Sequence, residues 1–133
     1  MSETTLQPKM SHRFRVEFLN AGVVVFGSEV LSEQVTDIDY YNQAGFGNFV
    51  FEDDEANKAQ FALMEIAKTE GLEIVIVIFN KVGGTLERVH LQNSKIENVS
   101  HTKPFSRKVS LEPITKTVEF SFGDYMLELI EPD

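Results

Sequence analysis

The chain has 133 residues and no cysteine, and its 21 acidic and 12 basic side chains leave a formal net charge of −9. This length fits one domain with a core of its own. The missing thiols exclude disulfides, thiolate catalysis and cysteine-based metal sites and suit a reducing cytoplasm, while the acidic balance opposes binding to a polyphosphate.

The opening ten residues, MSETTLQPKM, are polar and lack the apolar stretch of an export signal, and residues 1–11 are expected to form a flexible segment. Residues 12–19 alternate, with Phe14, Val16 and Phe18 on one face and Arg13, Arg15 and Glu17 on the other, which predicts a half-buried strand. Asn20-Ala21-Gly22 supplies turn chemistry before residues 23–26, predicting an antiparallel hairpin. Residues 30–41 read as extended, although neither face is a clean core face. Ser32, Gln34 and Thr36 oppose a register that mixes Leu31 and Val35 with Glu33, Asp37 and Asp39. Residues 43–48 read as a loop and 49–51 as a short strand.

A helix is expected over about residues 54–70. Glu52, Asp53, Asp54 and Glu55 place carboxylates at its positive end, and Gly71 stands where a left-handed cap belongs. Ala59, Ala62, Leu63, Ile66 and Ala67 form its apolar stripe, while Phe61 and Met64 lie off it. Next comes EIVIVIFN, residues 73–80, the longest apolar run and too short to span a bilayer. Ile74, Ile76 and Ile78 point to one side and Val75, Val77 and Phe79 to the other, so both faces of this strand call for cover.

Lys81-Val82-Gly83-Gly84 turns the chain into a partner strand, 85–93, with Val89 and Leu91 on one face, and 95–101 reads as a further short strand. Residues 116–122 alternate, with Val118, Phe120 and Phe122 inward and Thr117, Glu119 and Ser121 outward. Residues 125–130 close the chain with Met126, Leu127, Leu129 and Ile130. The whole predicts one mainly β domain over residues 12–133, an antiparallel sandwich or partly closed barrel with one flanking helix.

Catalytic signatures are weak. His12, His90 and His101 fall on different elements without ligand spacing, and Gly45-Phe46-Gly47 opens no helix that would receive a pyrophosphate. Asp37 and Asp39 lie two apart on one strand, a pattern more common on a solvated surface than in a glycosidase. No enzyme activity and no cofactor are expected. The surplus apolar residues Val75, Val77, Phe79, Phe61, Met64, Leu127 and Leu129 are candidates for subunit contact, with cover by the chain's own helix the alternative.

The run Phe49-Val50-Phe51-Glu52-Asp53-Asp54-Glu55-Ala56, followed by Lys58 and Phe61, resembles the strand-into-helix junction of tail tube proteins of contractile-tailed phages. The order downstream is similar too, through the glycine-containing hairpin, residues 91–99 and Thr115-Lys116-Thr117-Val118-Glu119-Phe120-Ser121-Phe122 to Asp124-Tyr125, and residues 13–19 resemble the family's first strand. Residues 43–48 are shorter than the loop with which many relatives reach a neighbouring ring.

The resemblance implies a structural virion subunit, made in the host cytoplasm, that forms hexameric rings stacked into a tail tube. Its implied partners are its own copies, a sheath protein, a baseplate and a tape measure protein, with DNA passing through the lumen unbound and no membrane involved. A lumen wall that repels phosphate over roughly 8–10 Å at cellular salt gives the acidic charge a purpose. Glu33, Asp37, Asp39 and Glu119 are the expected lumen-facing positions. The alternatives are the inner tube of a non-phage injection or bacteriocin particle, and a monomeric β-sandwich binding module.

Overall fold

A computed structural model describes residues 13–53, 56–102, 107 and 112–131. Its order is β1 (Phe14–Asn20), β2 (Val23–Val24), α1 (Ser28–Gln34), β3 (Val35–Tyr41), β4 (Phe46–Glu52), α2 (Lys58–Ala67), β5 (Leu72–Phe79), β6 (Thr85–His101), β7 (Thr115–Ser121) and β8 (Asp124–Leu129). The expected N-terminal segment lies outside the described residues.

All strand pairings are antiparallel, in the order β2-β1-β5-β6-β7-β4-β3, with β8 also on β6. The sheet is not closed into a barrel. It divides along β6, whose residues 85–94 pair with β5 and, over residues 87–92, also with β8, while residues 95–101 pair with β7. The two strands expected at 85–93 and 95–101 are therefore one. Asn93, with φ 55°, takes the left-handed conformation at the junction, and its amide donates to Asp124 Oδ2 at 2.9 Å.

The core lies where the halves face each other. Val16, Phe18, Ile74, Ile76, Val89 and Leu91 come from one half, and Phe49, Phe51, Val118 and Phe120 from the other. The Phe18 and Phe49 rings meet at 5.6 Å, and Phe49 continues to Phe120 at 6.1 Å. Tyr40 on β3 meets Tyr125 on β8 at 5.9 Å. Burial and then the hydrogen bond to Tyr125 push the pKa of the Tyr40 hydroxyl up to about 12, so Tyr40 stays neutral.

Among the described residues two helices are present rather than one. Residues 28–34 form α1, so the first part of the segment 30–41 expected to be extended is helical, which explains why neither strand register gave a clean face. Ser28 and Ser32 stand one turn apart and serve the free edge of β1: Phe18 N–H donates to Ser28 Oγ at 3.0 Å, and the Ser32 hydroxyl donates to the Val16 carbonyl. Val25 N–H takes the Phe18 carbonyl at 2.9 Å. This edge is thereby closed to further strand pairing.

The second helix is shorter than expected and starts at Lys58, after the N-cap Asn57 in the left-handed conformation with φ 58°. Glu52 and Asp53 do not cap it as expected. Glu52 ends β4, and Asp53 is buried against Lys116 Nζ at 2.9 Å, while the same ammonium donates to Gln60 Oε1 at 2.8 Å. Asp54 and Glu55 lie outside the described residues. Gly71 does have positive φ, but it belongs to the turn into β5, beyond the C-cap at Lys68. Of the expected stripe, Ala59, Ala62, Leu63 and Ile66 are buried and Ala67 is exposed.

Candidate assembly surfaces

The pairing registers determine which side chains share a face. On the outward side of the β6-β7-β4-β3 half, Asp39, Asn48, Glu119 and Asn98 form one cross-strand row. Asp37, Val50, Thr117 and Ser100 form the next, and Tyr41, Phe46, Ser121 and Lys95 a third. Asp37, Asp39 and Glu119 thus lie exposed on one face, with Tyr41 and Phe46 in the row at its end, and Glu119 is outward as the alternation of its strand predicts. Glu97 adds a carboxylate beside it, accepting from the Ser121 hydroxyl at 2.7 Å. Glu33 does not join them. It is exposed on α1, and the strand register it was expected to share with Asp37 begins only after the helix ends and a bulge intervenes between Val35 and Asp37.

The same half has two lateral edges without a neighbouring strand among the described residues. One belongs to β3, which pairs only with β4, and the other to β6 beyond residue 94, which pairs only with β7. An uncovered edge offers its N–H and C=O groups to another chain.

On the outward side of the other half, Val75 and Val77 are 1% and 3% exposed. Val75 lies between Glu17 and His90, and Val77 between Arg15 and Arg88. These long side chains are tied together by pairs of Arg15 with Glu17 at 2.7 Å and Arg88 with Glu128 at 3.4 Å. His90 bonds Glu73 at 2.7 Å and Glu128 at 2.9 Å, and the Arg15 guanidinium lies 5.9 Å from the centre of the half-buried Phe79 ring. Aliphatic stems under charged heads are the cover the described residues supply. Sequence reasoning missed this network because its members meet only across strands.

The remaining candidate contact residues are uncovered: Phe61 is 62% exposed, Met64 48%, Leu127 44% and Leu129 69%. Phe61 adjoins Phe26, Val30 and Ala62 around a shallow apolar groove of ≈ 330 Å³ between α1 and α2. Among the described residues no helix is long and apolar enough to cross a membrane, and no three His, Asp or Glu side chains are grouped to hold a metal.

No protein-family model and no curated protein sequence matches the chain. Solved structures do. A chain of the extended sheath-tube complex of an extracellular contractile injection system, PVC, matches with TM-score 0.57 at 13% identity, over 98% of this chain and 99% of that one. A chain of the six-fold symmetrised baseplate of the anti-feeding prophage matches with TM-score 0.54 at 13% identity, over 96% and 97%. The Hcp1 protein of the E. coli EAEC 042 pathovar matches with TM-score 0.55 at 10% identity, over 89% and 99%. The fold is one found in contractile injection systems and their Hcp-like tube proteins.

Proposed function

We propose that this chain is the repeating subunit of a contractile-tail inner tube, built from six-membered rings. The observation that carries it is the four-stranded half of the sheet, which combines an acidic outward face with a strand edge at either side that has no neighbour among the described residues. Joining β3 of one copy to residues 95–101 of β6 in the next would satisfy both edges and continue the acidic face around a hollow axis. Six-fold order is supported by the symmetry of the anti-feeding prophage baseplate.

In this arrangement Asp37, Asp39 and Glu119 line the bore and Glu33 lies away from it on α1. Phosphate is repelled from a carboxylate wall, so DNA in a phage tail would pass without being held. Exposed Phe61, Met64, Leu127 and Leu129 meet neighbouring subunits or the surrounding sheath, whereas Val75, Val77 and Phe79 support the charged layer above them. The sheath, baseplate and tape measure protein are the partners this role requires. The alternative cargo is protein, as for the tube of an injection particle, a role favoured by the likeness to the PVC and anti-feeding prophage chains.

The experiment is electron microscopy of the concentrated protein, with and without a baseplate fraction as a template. Rings or tubes with a central hole support a tube subunit, while dispersed single chains under both conditions reject it.

A further inference from the structure

The His90 ring spans three strands. From β6, its Nδ1 faces Glu73 Oε2 on β5 at 2.7 Å and its Nε2 faces Glu128 Oε1 on β8 at 2.9 Å. A carboxylate can only accept, and a neutral imidazole carries one N–H. Both contacts are satisfied together only when the ring is an imidazolium. The His90 side chain is 15% exposed, so little water is available to replace a lost partner.

The charges around the ring come from every strand beside it. Glu73 is on β5 and Glu128 on β8, where Arg88 also reaches Glu128 at 3.4 Å. Glu17 on β1 lies in the His90 row beyond Val75 and is held by Arg15 at 2.7 Å. Asp124 on β8 is engaged by Asn93 at 2.9 Å, while Val75 and Met126 flank the ring directly. Among the described residues strand β8 pairs with β6 alone, and its further ties are the Asn93–Asp124 hydrogen bond, the Arg88–Glu128 pair and Tyr125, which packs on the core and against Tyr40. Strand β5, the other strand that His90 reaches, is paired on both sides, by β1 and β6, so β8 has fewer other attachments than β5.

We propose that His90 is a proton-operated latch that holds β8 to the sheet, closed when the ring is charged and loosened when it is neutral. Loss of the proton leaves one ring nitrogen's lone pair against a carboxylate oxygen and removes the cation between Glu73 and Glu128. Burial pulls the His90 pKa down, but hydrogen bonds to Glu128 and then Glu73, with their charges, outweigh it and leave it above its ordinary value. A raised pKa means that the stabilisation is complete below about 6.5 and is lost as pH rises through the folded-state value. The latch is a property of the single chain. Only its consequence for assembly, through exposed Leu127 and Leu129, rests on the tube function proposed above.

The test is amide hydrogen exchange of the full chain across pH 5.5 to 8.5, corrected for intrinsic rates, together with the nitrogen resonances of His90. The latch requires two ring N–H groups at the acidic end and a several-fold loss of β8 protection as His90 titrates, with β4 unchanged. His90→Gln must abolish the pH step, and Glu73→Gln, which keeps a hydrogen-bonding group but removes the charge, must move its midpoint down. A neutral His90 at the acidic end, β8 protection independent of pH in the unaltered chain, or a step that survives His90→Gln would each overturn the latch. Tube formation is not read by any of these measurements, so the two proposals fail separately.

Discussion

Asp39 and Glu119 stand in one cross-strand row, two strands apart with Asn48 between them, and both project from the same exposed sheet face. Two strand spacings put their backbones about 10 Å apart, close to the screening length at cellular salt. Their mutual repulsion within one chain is therefore weak. Repetition around a closed ring would sum their fields instead. Tubes of the double variant Asp39→Lys/Glu119→Lys should retain short DNA duplexes at low salt and release them at high salt, while unaltered tubes retain none at either. Co-sedimentation reads the difference, and equal retention by both would remove these residues from the bore.

The serines of α1 make a stability prediction. Ser28→Ala leaves the fully buried Phe18 N–H without its acceptor, and this should cost about 1–3 kcal/mol. Ser32→Ala, at a part-buried bond, should cost less. Urea denaturation midpoints measure both. A Ser28→Ala chain as stable as the parent would mean that α1 does not seal the β1 edge through this bond.

Much of this architecture is legible along the chain because it depends on neighbours in sequence. The alternation around Val118 and Phe120 shows the core face of β7, and Ala59, Ala62, Leu63 and Ile66 show the buried side of α2. Helix α1 is hidden because two of its inward positions are serines directed at strand backbone, which leaves no apolar stripe to recognise. The continuity of β6 is hidden because Asn93-Ser94 has the composition of a turn, whereas here Asn93 only redirects the strand. Asp53 has the composition of a helix cap, yet its partner, Lys116, arrives from β7. The outward position of Glu119 was readable from local alternation, whereas Asp37 and Asp39 could be read only as sharing one strand register. The cover over Val75 and Val77 was not, because it follows from the registers of β1, β5 and β6.

Gly47 is a test of close backbone approach. A Cβ there would press on the Asp39 carbonyl and come 2.8 Å from Phe120 Cζ and 2.9 Å from Tyr40 Cα. Gly47→Ala should therefore cost roughly 2–3 kcal/mol through overpacking between β3 and the core. Gly83→Ala meets open space at φ +93°, so only backbone strain of about 1 kcal/mol applies. Thermal melts of the two variants should differ in that order, and the reverse order would contradict the packing of β3 on Phe120.

Exposed apolar residues separate folding from assembly. Phe61→Ser and Leu129→Ser act where the single chain leaves 62% and 69% of the residue in water, so monomer stability should change by no more than about 0.5 kcal/mol. Leu63→Ala, at a buried position, should cost about 2–5 kcal/mol. If these surface residues meet neighbours, size-exclusion profiles of the two serine variants should shift toward the single chain while their melts stay unchanged. Profiles identical to the parent would assign both side chains to solvent.

In the proposed tube the edges of β3 and β6 join copy to copy around an axis lined by the acidic face. A cryo-electron microscopy reconstruction of the assembled particle tests it most directly. The predicted result is a six-membered ring in which β3 of each copy adjoins residues 95–101 of the next and Asp37, Asp39 and Glu119 face the bore. An assembly with those carboxylates on its outer wall, or with both edges unpaired, would contradict it.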